Sequence, residues 1–247
     1  MSARLEITHL HKRFGGLVAV NDVSFTLEPG EVVGLLGPNG SGKTTVMNMI
    51  SGALPCDGGT VRVGGTDITK MKPHRVAKHG VARTFQLVRP LPTLSVAQNV
   101  LLSLAFGHKR HWGQEARDLA EEKLAFVGLA GRGDERVENL TYIDQKRMEM
   151  ARALASEPDI LLLDEWLAGL NPSELRIGID LVQHLQRTGD HRLAGGTYHG
   201  GRAGAVFALH RDERRPKDCR GRLCRGAARP RCHQGLSGRR SCLNYRM

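Results

Sequence analysis

EVVGLLGPNGSGKTTVMNMISG, residues 31–52, is the stretch from which the rest of the chain can be placed. EVVGLL is a short apolar run, suited to a strand buried in a parallel sheet. GPNGSGKTT follows at 37–45, and VMNMISG then carries apolar residues at helical spacing. Gly37–Thr44 fits G-x-x-x-x-G-K-[ST] in the strand–loop–helix setting that the pattern requires. Gly37, Gly40 and Gly42 let the backbone wrap closely around phosphate oxygens in dihedrals that larger residues avoid. Pro38, Asn39 and Ser41 complete the loop, whose amides join those of the helix N-terminus in pointing at an anion. Lys43 is placed to reach the outer phosphates of a nucleoside triphosphate such as ATP. The Thr44 hydroxyl, with Thr45 beside it, is placed to meet Mg²⁺.

A second segment, DILLLDEW at 159–166, complements the first. Residues 160–163 read as a buried strand, and Asp164 and Glu165 emerge at its C-terminal end, where open α/β sheets bind ligands. Asp164 suits a Mg²⁺ role, and Glu165 suits polarising an attacking water. An acidic pair after a strand is also an ordinary turn signal; the loop at 37–45 is what gives this one chemical meaning. Together the two segments predict an α/β fold with a parallel-sheet core of the P-loop nucleoside triphosphatase kind.

The 247 residues suffice for one large domain or two small ones. The formal net charge of +11 is unevenly spread: residues 190–247 hold 13 Arg and 1 Lys against 4 acids, while 1–189 hold 22 basic and 21 acidic side chains. The body is nearly neutral, which argues against nucleic acid as its partner. Cys56 stands alone in the body, and Cys219, Cys224, Cys232 and Cys242 lie in the tail. The body therefore reads as a protein of a reducing compartment. There is no charged-then-apolar leader and no run of about 18 apolar residues, so any membrane attachment is expected to come through a partner.

These motifs, and what lies between them over residues 4–188, resemble the ATP-binding subunits of ABC transporters. LHKRFGGLVAVNDVSFTLEPGE (10–31) is similar to that family's opening hairpin. This implies an antiparallel N-terminal sheet, with Phe14 stacking on adenine. ARTFQ (82–86) resembles the Gln-loop, which implies that Gln86 touches Mg²⁺ and the attacking water and senses a transmembrane partner. AGLNP (168–172) resembles a loop that communicates across a nucleotide-sandwich dimer. The resemblance implies an ATP-binding domain over 1–189, with a helical subdomain near 87–150. Within the family, RTFQLVRPLPTLSVAQNVLLSLAFG (83–107), EARDLAEEKLAFVGL (115–129) and AGLNP (168–172) point to the branched-chain amino-acid importers. ATPases of lipid or lipopolysaccharide export share much of this pattern. The implied activity is Mg-ATP hydrolysis by a head-to-tail pair of like or unlike subunits. They would act peripherally, beneath transmembrane permease subunits on the cytoplasmic face of the plasma membrane. A periplasmic or extracellular binding protein would deliver the substrate.

Two positions depart from the family pattern. The signature loop there reads LSGGQ, or LSYGQ in this branch; this chain has LTYIDQ at 140–145. Leu140 and Tyr142 fit, and Thr141 keeps a hydroxyl for the γ-phosphate of the opposing subunit. Ile143 stands where a bare glycine backbone approaches that phosphate, and Asp144 adds a negative charge. Crowding and repulsion of the anion are expected. Trp166 stands where the family has Pro after the acidic pair. The helix DQKRMEMARAL (144–154) keeps its pattern. The chain's own ATP-binding half is intact, and a non-catalytic regulatory subunit stays open as an alternative.

After Gly189 the family pattern requires a buried strand ending in Glu-His, then two strands and a helix. DHRLAGGTYHG (190–200) shows no such strand. Read one base later, the codons of 190–199 permit ITVLLVEHTM, and those of 210–221 permit IVMNAGRKIAEG, in the family's order and at its spacing. An out-of-frame origin from about residue 190 also accounts for the excess of Arg over Lys and the scattered Cys. The alternatives are an Arg-rich nucleic-acid arm and a zinc site from Cys219, Cys224, Cys232, His233 and Cys242. The Cys spacings lack paired C-x₂₋₄-C knuckles, and no aromatics interleave the arginines. Residues 190–247 are expected to be a disordered, non-family tail, and loss of the Glu-His strand is expected to impair hydrolysis.

Overall fold

The computed structural model describes residues 4–29, 32–37, 40–85, 88–107, 109–164, 166–188, 204–210, 232–234 and 240–242. β1 (Leu5–Phe14) and β2 (Leu17–Leu27) pair antiparallel, from Leu5 opposite Leu27 to Phe14 opposite Leu17. Leu5, Ile7 and Leu10 of β1 and Val20, Val23 and Leu27 of β2 are buried, as the core-facing side of a half-solvated sheet must be. β3 (Val32–Gly37) and α1 (Lys43–Ile50) follow. β4 (Gly58–Val63) and β5 (Thr66–Asp67) then return to the hairpin, giving a sheet of order β2-β1-β4-β5. The expected antiparallel N-terminal sheet is thus present.

α2 (Pro73–Lys78) leads into β6 (Val81–Thr84), and three longer helices follow: α3 (Val96–Phe106), α4 (Gly113–Phe126) and α5 (Tyr142–Ala155). α3 begins at a capping box, in which Ser95 Oγ accepts from the Gln98 amide at 3.3 Å and Gln98 Oε1 from the Ser95 amide at 2.9 Å. Asn99, fully buried, accepts from the Leu91 amide at 2.9 Å and donates to the Leu91 and Ser95 carbonyls. One side chain thereby satisfies the turn that carries the chain from β6 into the helices. α5 runs on past 150 to Ala155, because Ala153, Leu154 and Ala155 remain in the core of this helical unit.

β7 (Ile160–Asp164) and α6 (Pro172–Thr188) complete the body. β7 is the wall between two cores. Ile160 and Leu162 face the cluster that α1 shares with the antiparallel sheet, while Leu161 and Leu163 face the helical cluster. A period of 2 sends alternate side chains to opposite faces, which is why the run ILLLD is apolar without interruption.

Three short segments of residues 190–247 are among the described ones. β8 (Gly204–His210) inserts between β3 and β7, parallel to both, in a sheet of order β3-β8-β7-β6. GAVFALH supplies enough β-branched and aromatic character for such a place, but five apolar residues in a Gly- and Arg-rich tract are easily passed over. β9 (Cys232–Gln234) and β10 (Arg240–Cys242) form a short antiparallel hairpin. The other residues of the expected tail lie outside the described ones.

Candidate nucleotide site

Parallel pairing puts the C-terminal ends of β3, β7 and β6 at one edge: Gly37 lies opposite His210, Ala208 opposite Asp164, and Leu163 opposite Thr84. Gly37, Asp164 and Thr84, the last residues of β3, β7 and β6, therefore stand at the same edge of the sheet. Pro38, Asn39, Gln86 and Glu165 themselves lie outside the described residues.

Gly42 caps α1 with φ 89°, a left-handed conformation. Any side chain at Gly42 would overlap the Ala19 carbonyl oxygen of β2, so the hairpin closes directly over the loop. Gly40, φ 78°, precedes it in the same region. Among the described residues no side chain caps α1, and its first turn holds no acidic residue. The first amides of a helix have no partner inside it, so this end is left to an anion. Lys43 and Ser41 are buried at 4% and 5% exposure, which makes them part of the loop's framework rather than its solvent face. Thr45 is half-buried and Thr44 exposed.

In the first turn of α1, Thr44 Oγ1 lies 3.5 Å from Asp164 Oδ1 of β7. Asp164 is 1% exposed, and Arg83 of β6 meets its other oxygen at 2.6 Å. The same guanidinium donates to Asn48 Oδ1 at 2.6 Å and Ser51 Oγ at 3.1 Å, both on the α1 side. Arg83 sits inside ARTFQ, where the motif itself gives it no role. Thr44 Oγ1 and Asp164 Oδ1 are hard oxygen donors on one side of the loop, which suits a divalent cation carried in by phosphates. Such a cation needs only one or two protein oxygens, and among the described residues no group of three His, Cys, Asp or Glu converges.

Phe14 ends β1 at 48% exposure, with Lys12 Nζ 5.6 Å from its ring centre. Lys12 is held by Asp57 at 2.6 Å. Phe14 is thus an exposed ring on a fixed stem, the form that a stacking platform requires.

The departures at 140–145 take a different form from the one expected. Thr141 caps α5: its hydroxyl accepts from the Asp144 amide at 3.3 Å and donates to Asp144 Oδ2 at 2.8 Å. Asp144 also meets Arg132 at 2.8 Å and Arg147 at 3.0 Å. Burial alone would raise this carboxyl, but Arg132, Thr141 and Arg147 together hold it below its ordinary value. The acid is paired within its own subunit rather than left to repel a phosphate. Ile143 is buried at 7% exposure, so its side chain points inward and does not crowd the loop's outer face. Leu140 is buried and Tyr142 exposed. A methyl on Gly169 of AGLNP would sit 3.5 Å from the Tyr142 ring, so these two loops are neighbours. Trp166, 3% exposed, exchanges backbone contacts with Lys146. Lys146 Nζ donates to the Trp166 carbonyl at 2.9 Å, and the indole donates to the Lys146 carbonyl at 3.3 Å. Neither Lys146 nor its pairing with Trp166 had a signal in the sequence beyond helical spacing.

An open cleft of about 790 Å³ lies elsewhere, at the β5 edge beside Thr69, Lys72 and Arg75. Its cations are solvent-exposed, and it takes no part in the nucleotide site.

The family model described as "ABC transporter" matches residues 20–168. This chain belongs to the ABC transporter family. The cassette is 38% identical over 195 residues to the high-affinity branched-chain amino acid transport ATP-binding protein LivG of Escherichia coli, covering 74% of this chain and 76% of the relative. It is also 38% identical over 192 residues to the ribose import ATP-binding protein RbsA of Halalkalibacterium halodurans, covering 75% of this chain and 38% of that one. A solved ATP-binding cassette of an ABC transporter in its ADP conformation superposes with a TM-score of 0.72 at 27% identity, covering 86% of this chain and 83% of that chain.

Two predictions follow from the geometry. Arg83→Met leaves Asp164 buried without its partner, so a loss of about 3–5 kcal/mol in unfolding free energy is expected from urea titration. Asp144 has a depressed pKa when folded, so the stability it contributes is complete above its unfolded value and is lost as pH falls through the folded one. The stability gap between the parent chain and Asp144→Asn is expected to be full above about pH 5 and to shrink below about pH 4, as read from unfolding midpoints across that range.

Proposed function

We propose that this cassette is the ATP-binding and ATP-hydrolysing subunit of an importer for branched-chain amino acids. What carries the nucleotide reading is the uncapped start of α1, with Thr44 Oγ1 3.5 Å from the buried Asp164. The amides at 42–45 and the buried Lys43 would bind the phosphates, and Phe14 would stack on the base. Thr44 and Asp164, with Gln86, would hold Mg²⁺, which when bound neutralises charge on the transferred phosphoryl group. Glu165 would orient the attacking water from the end of β7. A second cassette, like or unlike, would complete the site, and permease subunits fed by a binding protein would take up the motion. The cassette would sit peripherally at the membrane; no described helix is long and apolar enough to cross one.

The transported substrate rests on the motifs at 83–107, 115–129 and 168–172, since the LivG and RbsA relatives match at equal identity. A second reading, a regulatory subunit that binds nucleotide without turning it over, is favoured by one observation: the Thr141 hydroxyl is already engaged by Asp144 on both its donor and acceptor sides. We further infer that residues from about 190 onward are out of frame and that hydrolysis is impaired for want of the Glu-His strand.

Lys43→Ala is expected to weaken ATP binding at least about tenfold, the worth of a charge-assisted contact, measured by calorimetry; unchanged affinity would overturn the nucleotide reading. Resequencing the gene across codon 190 is expected to reveal a gained or lost base, and restoring the frame is expected to raise ATP turnover. An intact single frame on resequencing ends that part of the proposal.

A further inference from the structure

β6 ends at Thr84, where its ladder with β7 stops. The next amide, that of Phe85, therefore has no partner in the sheet. It finds one in a different element: Phe85 donates to Glu149 Oε1 of α5 at 3.0 Å. Glu149 is 5% exposed and is flanked on its helix by Met148 and Met150, both fully buried. Its second oxygen, Oε2, has no hydrogen-bond partner among the described residues. A carboxyl in such a place is a poor choice for packing, because burying an unpaired polar oxygen opposes folding. An apolar side chain would fit the helical core better, but it would strand the Phe85 amide.

The surroundings agree with a positional role. Burial pushes the Glu149 carboxyl up to about 7, against the Phe85 amide and the charges of Arg152 and Lys146, which lower it. Arg152 donates to the Arg89 carbonyl at 2.9 Å, on the far side of the same loop. The Arg83 and Arg89 guanidiniums both lie over the Phe85 ring, 5.3 and 5.9 Å from its centre. α5 is one continuous helix from Tyr142 to Ala155 with Thr141 as its cap. The signature loop and Glu149 are therefore separated by about two rigid turns.

We propose that Glu149 is a positioning residue that ties the strand end leading into Gln86 to the helix capped by Thr141, so that the two loops shift together. The inference rests on the nucleotide-site reading above. It assigns to the buried carboxyl the task of passing movement of the helical unit to the edge of the parallel sheet. A carboxamide can accept the same hydrogen bond, whereas a thioether of similar size cannot.

The test compares the full chain with Glu149→Gln and Glu149→Met by hydrogen exchange at the Phe85 amide and by ATP affinity with and without Mg²⁺. Exchange at Phe85 is expected to accelerate about tenfold in the Met variant and to be restored by Gln. The gain in ATP affinity on adding Mg²⁺ is expected to drop in the Met variant and to survive in the Gln variant. Equal exchange in all three chains, with ATP still bound by the parent, overturns the positioning role alone. Failure of the parent to bind ATP overturns the nucleotide reading and this role with it. Should the Met variant not fold, the Gln variant decides: retained protection at Phe85 supports the proposal, and lost protection in a folded Gln chain ends it.

Discussion

Burying a carboxyl group opposes folding unless it is paired and hydrogen-bonded, and Asp164, at 1% exposure, has Arg83 at 2.6 Å. The rest of the site is arranged around that pair. One guanidinium spans β6, β7 and the α1 region, because its remaining nitrogens reach Asn48 and Ser51. The three elements whose ends surround the phosphate loop are thus fixed to one another by charge-assisted bonds, which are shorter and stronger than neutral ones. Around this clamp the alternating residues of β7 divide the interior into two cores. The acid therefore stands on the strand that both halves of the cassette need.

The helical unit is joined to that framework at two further points. Lys146 and Trp166 exchange hydrogen bonds across α5 and the segment after β7, and Glu149 takes up the amide that follows β6. Both joints use polar groups buried in an otherwise apolar cluster. A directional hydrogen bond in such a place specifies one arrangement, where apolar packing alone would tolerate several. The signature loop obeys the same logic. Its acid is shared among Thr141, Arg132 and Arg147, so charge at this surface is settled within the subunit before any partner arrives.

The parallel sheet explains why a strand from the tail matters. β3 and β7 do not pair with each other; each pairs with β8. Without a strand in that slot, β3 would be an isolated ribbon with the phosphate loop at its end, and its amides would be buried without partners. Gly204–His210 fills the slot with apolar, strand-forming residues. The slot is a demand of the fold, and the chain as written meets it with a segment from the tract whose composition had pointed to disorder.

Local rules made much of this protein readable from its residues. Gly37–Thr44 could be placed because a loop around phosphate needs glycine and lysine at set positions, and ILLLD could be placed because a strand buried on both faces has no polar alternation. The hairpin with Phe14 and a helical unit followed from a resemblance to known cassettes; the structure contains the hairpin, and three helices between Val96 and Ala155. The distant pairs were not readable. Arg83 with Asp164, Glu149 with Phe85 and Trp166 with Lys146 join residues 81, 64 and 20 positions apart. Nothing local marks such a pair, because its energy comes from burial and charge that exist only once the chain has closed. The same holds for Ile143 and Asp144, judged from sequence by their chemistry and from structure by their direction. The sequence determined which loop would face a phosphate; only the tertiary structure decided which charges would be silenced before it did.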